Sequence, residues 1–313
     1  MIIDNWKYYN HAAITCCAPH SKKDVTLPIK DGSIWKLTSK DGKHPLLARW
    51  TTDFDCKEET SYWYIIKDGP FSMDEFNKKR QKYIRRTLER CVVRRIDQTE
   101  CADEIYAVYK AAFMSYKNAD NEVSETEFKE RIKADGLEYW GAFSKETGIL
   151  AGWMSCANHG DWTETISAKY HPDMLTAVRP SEAIHYYVLT HYLNELGQKY
   201  ICSGTRNINH KTHVQDFKIQ NWHFRRAYCH LHIVYNPRIK WIVKSIYPFR
   251  KMLRLLDFET HIHQINSLLR MEEIARENIK LIKLTPPPAR IVFNAKSCHG
   301  LAMVLNNERR LVA

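Results

Sequence analysis

The sequence predicts a mixed α+β fold, a central mixed sheet flanked by helices, and three observations predict it. Short runs rich in aromatic and β-branched residues, each bounded by turn signals, recur through the first seventy residues and again over 138–170. Apolar stripes at helical spacing lie between and after them, at 76–91, 102–116 and 183–192. From Trp140 to Tyr235 the order is two strands, a third strand, a helix, a short strand ending in SGTRNIN, a second helix and the run WHFRRAYCHLHIVY. That order layers helices on a sheet and leaves polar groups at strand ends.

In chain order, GSIWKLTS, HPLLARWTT and SYWYIIKDG predict three strands bounded by Asp-Gly, Pro or acidic turn residues. Ser72 with Glu75 three residues later predicts a capping box that opens a helix, with Phe76, Tyr83, Ile84, Leu88 and Cys91 on its apolar stripe. CVVRRID reads as a strand. The helix over 102–116 carries Ile105, Val108, Tyr109, Ala112 and Phe113 on one face, and a further helix is expected near 125–134. EYWGAF and ILAGWMSCA flank KETG as a hairpin, and WTETISAKY adds a strand after the turn at 159–161. The connector HPDMLTAVRP leads to a helix capped by Ser181, with Ala183, Ile184, Tyr187, Val188, His191 and Tyr192 facing the core and Gly197 closing it. YICSG is a short inner strand, Thr212 caps a helix running to about Asn221, and RRAYCHLHIVY is one strand with alternating faces.

Beyond Tyr235, RIKWIVKSIYPFRKMLRLL places Ile239, Ile242, Val243, Ile246, Phe249, Leu253 and Leu256 on one helical face, with Lys240, Lys244, Lys251 and Arg254 mostly opposite. Pro248 kinks or divides that helix. Two readings stay open for it, contact with an anionic membrane and packing against the domain. Ile262, Ile265, Leu268, Leu269 and Ile274 mark another helix that covers the core, ended by the prolines at 286–288, after which the chain adds an edge strand or a tail. The expected organisation is a β-rich N-terminal region with a basic helix over 1–98, a core over 99–237, and a helical C-terminal extension and tail over 238–313.

With 313 residues, 44% hydrophobic and 12% aromatic, the chain buries a sizeable core. It contains no run of eighteen uncharged apolar residues, and MIIDNWKYYNHAA lacks the basic-then-apolar order of a secretory signal, so a cytoplasmic protein is expected. The nine cysteines include no CxxC pair, which favours reduced, mostly buried thiols. The net charge of +11 is local. Nine Lys or Arg residues against Glu89 fall within 76–96, and six with no acid fall within 238–254, so the rest of the chain is net negative. Concentrated positive charge points to an anionic partner: nucleotide or RNA phosphates, or the inner membrane surface.

The order of elements resembles that of the Gcn5-related N-acetyltransferases (GNAT), and QDFKIQNWHFRRAY looks like that family's last helix followed by the start of its next strand. TSYWYIIKDG and KKRQKYIRRTLERCVVRRI resemble the corresponding region of Fem-type acyltransferases, so the resemblance spans about residues 50–237. It implies a GNAT-like acyltransferase fold and transfer of an acyl group from acetyl-CoA or another acyl-CoA to an amine or hydroxyl. The acceptor it implies is a small molecule or a lipid or glycan precursor. Two departures stand out. The family's Gly-rich pyrophosphate loop falls on HPDMLTAVRPSE, which has no glycine, leaving Arg179 and the helix start at Ser181 to hold an anion. The family's tyrosine acid falls near Ile219.

Acyl transfer needs a base, an oriented carbonyl and donors aimed at the oxyanion. The strand-end residues offer His210 or Asp216 as base and Ser203, Arg206, Asn209 and Gln215 as substrate-orienting groups. Lys169, with Tyr170 and His171, ends the neighbouring strand. Each has a structural competitor: His210 and Asp216 as solvated loop and cap residues, Arg206 as a carboxylate partner, Lys169 and His171 as exposed strand-end groups. His230 with His232, and His261 with His263, lack a third ligand at metal-binding spacing, so no metal is expected. Three functions remain in view: acyl transfer from a CoA thioester, aminoacyl transfer from charged tRNA, and a noncatalytic binding module.

Overall fold

The computed structural model describes residues 2–116, 122–208, 214–256 and 260–284. Strands β1 (Ile2–Ile3), β2 (Trp6–Tyr9), β3 (Ala12–Thr15) and β4 (Leu47–Thr52) join β12 (His230–Tyr235) in one mixed sheet, in that order. The larger sheet uses β5 (Trp63–Asp68), β6 (Cys91–Ile96), β7 (Glu138–Ser144), β8 (Leu150–Asn158), β9 (Trp162–Tyr170), β10 (Tyr200–Thr205) and β11 (Arg225–Tyr228), in the order β11-β5-β10-β9-β8-β7-β6. All its pairs are antiparallel except β9 and β10, which run parallel through Trp162–Tyr200, Thr163–Ile201 and Glu164–Cys202. The helices are α1 (Leu27–Lys30), α2 (Lys78–Leu88), α3 (Ala102–Met114), α4 (Glu125–Ala134), α5 (Pro180–Leu189), α6 (Val214–Trp222), α7 (Pro237–Ile246), α8 (Arg250–Leu253) and α9 (Thr260–Leu284). The mixed α+β class and the expected run of strands and helices from β7 to α6 are both present.

The larger sheet is the wall on which everything else is hung. On one face Met154, Ile184, Val188, Leu189, Tyr192, Ile201 and Trp222 close the main core under α2, α5 and α6. Trp222 is fully buried, stacked on His185 and edge-on to Phe76 at 5.7 Å. Removing an indole of that size from water stabilises the fold by about 4–6 kcal/mol as an upper bound. On the other face Trp153 and Tyr139 pack against Ile105, Tyr106, Tyr109 and Phe128 of α3 and α4. Farther along that face, Trp162, Tyr200 and Cys202 meet Phe54 and Ala18 of the N-terminal region. Among the described residues no helix is long and apolar enough to cross a membrane.

Several local expectations are corrected. GSIWKLTS is a 3₁₀ turn at Ser33–Lys36 rather than a strand, because Asp31 Oδ1 accepts the Ser33 amide at 2.8 Å and Ile34 and Leu37 are buried three residues apart. The Ser72–Glu75 capping box forms, but it closes a separate 3₁₀ turn, and α2 has its own cap in Asn77. Arg179, in a left-handed conformation, precedes α5, so Ser181 lies inside the helix rather than capping it. RRAYCHLHIVY is two strands in different sheets. Cys229 lies between them, its amide bonded to Tyr62 O and its carbonyl to Thr60 Oγ1, and beyond it the chain crosses to pair with β4. Pro248 divides the helix after Tyr235 as expected, into α7, a 3₁₀ turn over Tyr247–Phe249 and α8. Its apolar stripe is itself split. Val243 is buried, whereas Ile242, Phe249 and Leu256 are exposed. Thr212 and the segment after Leu284 lie outside the described residues.

Candidate active site

The parallel pair β9 and β10 parts after Glu164 and Cys202. Both strands are bulged at that point. Against β8, β9 fits an extra residue between Thr165 and Ser167, and against β5, β10 fits an extra residue between Cys202 and Thr205. A bulge bends its strand and re-aims the side chains beside it. Gly204 takes φ +80° in the second bulge, a left-handed conformation that costs a residue with a Cβ. Two adjacent strands therefore stop pairing beside α6, whose Gln215 and Lys218 reach Thr205 and Ser203.

Beneath the divergence sits Lys218. Its ammonium donates to Ser203 Oγ and, at 3.4 Å, to Thr165 Oγ1, and those two hydroxyls are 2.9 Å apart across the gap. The side chain lies 5.6 Å from the Phe224 ring, the residue is 7% exposed, and no ion pair to Lys218 is found among the described residues. Burial without a carboxylate lowers its pKa to about 8. Beside it, His185 is buried on α5. Its Nδ1 lies 2.7 Å from Ser181 O, so Nδ1 carries the proton and Nε2 is an acceptor that has no hydrogen-bond partner among the described residues. Burial first, and then Lys218, holds its pKa down to about 3, so the ring is neutral. Neither Lys218 nor His185 is among the functional residues expected from sequence.

The first turn of α5 is already electrostatically occupied. Glu182 is buried there and takes a two-pronged hydrogen bond from Arg80 of α2 at 3.0 and 2.6 Å. Pro180 contributes no N–H, and Arg179 stacks on Tyr83 at 4.3 Å. Gly152 on β8 allows the approach of this turn, since a Cβ there would meet Tyr170 Cδ1 at 2.5 Å and Pro180 Cβ at 3.1 Å. Arg179 and Ser181 are thus at the expected place, but the turn does not fit the close backbone cradle that a coenzyme diphosphate needs. Along the outer side of α2, Lys78, Lys79, Lys82, Arg85 and Arg86 are all exposed.

On the opposite face, a cavity of about 680 Å³ reaches the same parting, where Glu164, Cys202, Gly204 and Thr205 line it. Lys7 and Arg49 line it from the smaller sheet, and Tyr64 of β5 with the nearby Tyr62 lines it beside β10. Burial pushes the Glu164 carboxyl up, with Lys7 opposing. This chamber exists because β12 returns to β4 and holds the smaller sheet beside β9 and β10.

Of the residues expected from sequence, Ser203 is at the gap, and Gln215 braces it by donating to Thr205 O at 2.6 Å. Asp216 is exposed in the first turn of α6, two residues and about 200° around the helix from Lys218. Arg206 is a latch: it donates to Ser61 O and lies over Trp63 at 4.6 Å. Lys169 points to the α3 side, donating to Tyr116 Oη at 3.2 Å, while Tyr170 is half-buried against the main core and His171 precedes the turn Pro172–Met174. Asn209 and His210 lie outside the described residues, as do the side chains of His261 and His263. His230 lies 3.1 Å from Asp53, and His232 stacks on Trp50 and bonds Thr52 at 2.8 Å. Among the described residues, no group of three or more His, Cys, Asp or Glu is placed to hold a metal.

No family model and no curated protein matches the chain. Solved structures similar to it include L-PGS from Bacillus licheniformis, at 11% identity and TM-score 0.46, covering 77% of this chain and 83% of that one. They also include FemX, at 10% identity and TM-score 0.46, covering 71% and 81% respectively. A tandem GNAT protein from the clavulanic acid biosynthesis pathway matches at 10% identity and TM-score 0.42, covering 72% and 75%.

Proposed function

We propose that this chain is an acyltransferase that moves an acyl group from an activated carrier to an amine or hydroxyl. The observation that carries the reading is the parting of β9 from β10, bulged on both sides, with the Lys218 ammonium buried beneath it. An acyl carbonyl lying in the gap meets that ammonium, and charge developing on its oxygen is stabilised in a water-poor setting. An acceptor nitrogen entering from the cavity forms the new C–N bond and gives its proton to Glu164. The bond from the acyl carbon to the carrier breaks, and the leaving oxygen or sulfur takes a proton from Lys218. A pKa of about 8 suits Lys218 to that exchange near neutrality. Ser203 and Thr165 hold the ammonium in place.

In this reading residues 99–237 carry the reaction, residues 1–98 supply β5 and the cavity wall, and residues 238–313 form an extension. Lys7 and Arg49 suit an acceptor bearing phosphate, such as a lipid or glycan precursor at the cytoplasmic membrane surface. The carrier is a CoA-type thioester or an aminoacyl-tRNA. The occupied first turn of α5 and the five exposed cations of α2 favour the second, whose phosphates are spread along a chain. Thermal shift of the full chain separates the readings: stabilisation by an acyl-CoA supports the first carrier, and by charged tRNA the second. Each is followed by transfer of labelled acyl group to a primary amine. Stabilisation by neither, with no transfer, defeats the acyltransferase reading and leaves a binding module.

A further inference from the structure

The segment over 237–256 is helical almost throughout, running through α7, the turn at Tyr247–Phe249, α8 and a last 3₁₀ turn at Arg254–Leu256. Its inner side is anchored. Val243 is buried, Leu253 O accepts from Asn266 Nδ2 at 2.9 Å, and Arg250 and Arg254 both bind Glu273 of α9. The outer side therefore cannot turn inward without breaking those contacts. That outer side is apolar: Trp241 is 71% and Leu255 79% exposed, with Ile242, Phe249, Met252 and Leu256 also exposed. At about 100° per residue in the α-helical parts and about 120° in the two 3₁₀ turns, these six fall on about half of the circumference.

Lys240, Lys244 and Lys251, all exposed, form a row along one edge of that arc, and Lys244 lies 5.3 Å from the Trp241 ring. Arg238 is exposed at its N-terminal end, and no acid occurs between residues 238 and 256. An ordinary surface helix has this pattern reversed, with lysines outward and apolar residues inward. Here bulky apolar groups project where water would surround them, and cations edge them on one side. That combination complements a bilayer interface, in which acyl chains meet a plane of anionic headgroups. It does not complement RNA, which offers no continuous apolar surface of this kind.

We propose that the outer face of the 237–256 segment docks the protein on an anionic lipid surface, with Trp241, Ile242, Phe249, Met252 and Leu255 entering the interface and Lys240, Lys244 and Lys251 at headgroup level. The proposal stands apart from the acyl-transfer reading, since it uses no residue of the gap or the cavity.

The test is co-sedimentation of the full chain with vesicles of phosphatidylcholine alone or of phosphatidylcholine and phosphatidylglycerol in equal amounts. The expected result is binding to the mixed vesicles that weakens with salt, and little to the neutral ones. W241S/L255S lowers binding to the mixed vesicles at least about tenfold. K240Q/K244Q/K251Q lowers it by about fivefold per lysine and flattens the salt dependence. Both variants change exposed side chains, so an unchanged melting temperature certifies the fold. They also keep the α2 cations, which makes any residual adsorption a baseline. The proposal is overturned if the wild type ignores the mixed vesicles at low salt, or if W241S/L255S binds them as the wild type does. It is equally overturned if the wild type is a dimer in solution that W241S/L255S dissociates while vesicles leave both unbound, for then the face belongs to a second copy.

Discussion

Replacing Lys218 by Met should make the protein more stable and less active, and the size of the first effect follows from the burial of one ammonium. Lys218 titrates at about 8 in the folded chain against the ordinary 10.5 of an exposed lysine. That difference amounts to about 3 kcal/mol by which the fold disfavours the charged form at neutral pH. The unfolded chain keeps its proton up to about 10.5 and the folded one releases it near 8, so the unfolded state binds more protons in between. Stability therefore rises with pH across that window. Met preserves the apolar stem but forfeits the hydrogen bonds to Ser203 and Thr165, worth about 1 kcal/mol in total because the two hydroxyls keep each other. The net expectation is a gain of about 1–2 kcal/mol near pH 7, with a loss of transfer rate of about a hundredfold or more. Urea unfolding of wild type and K218M at about pH 7 and about pH 10 measures the first part, and their difference cancels every other titrating group. A K218M protein less stable than wild type near neutrality, or a difference between the two that does not change with pH, would refute the claim that an unpaired ammonium is buried there.

Three further outcomes are expected. Glu164 accepts a proton only when ionised, so the transfer rate should climb with pH through a value above the ordinary 4.5 of a glutamate, and E164Q should remove that limb of the pH profile along with about a hundredfold or more of rate. R80A leaves the Glu182 carboxylate buried without its fork and should cost about 3–5 kcal/mol by denaturant unfolding, whereas R80A/E182Q should recover part of that loss. G204A meets no atom within 4 Å, so its cost, about 1–2 kcal/mol, comes from the left-handed backbone alone. A neutral G204A would mean that the bulge carries no strain.

Much of the frame could be read from local pattern, because a hairpin such as KETG or the Phe76–Leu88 stripe depends on neighbours a few residues away. The site depended on longer reach. β12 pairs with β4 from about 180 positions away, and the cavity that surrounds Glu164 exists only after that pairing. Alternation places Glu164 on one face of its strand but does not say that the face looks into a chamber. Lys218 escapes a sequence reading because a lysine on a short helix reads as a solvated one. A signal was nonetheless present: Lys218 is four residues before Trp222 and so shares the face that Trp222 buries. Asp216, favoured from sequence as a base, sits on the side that this same periodicity turns to water.

The first turn of α5 bears most directly on what the carrier is. A helix N-terminus attracts anions through its free N–H groups and its dipole. In this chain one of those N–H groups is missing at Pro180, and the field of the rest acts on the chain's own Glu182, which Arg80 already neutralises. An incoming diphosphate would have to displace a buried carboxylate or lie beside it, and both are unfavourable. The cations on the outer side of α2, from Lys78 to Arg86, remain exposed and are spread over a little more than two turns of helix. Attraction of that kind is Coulombic, screened by salt, and stronger for a ligand that touches several charges in succession than for one that presents its phosphates together. The same departure that removes the compact cradle therefore leaves the extended basic side of α2 as the surface on which, in the proposed reaction, a carrier with phosphates spread along a chain is held.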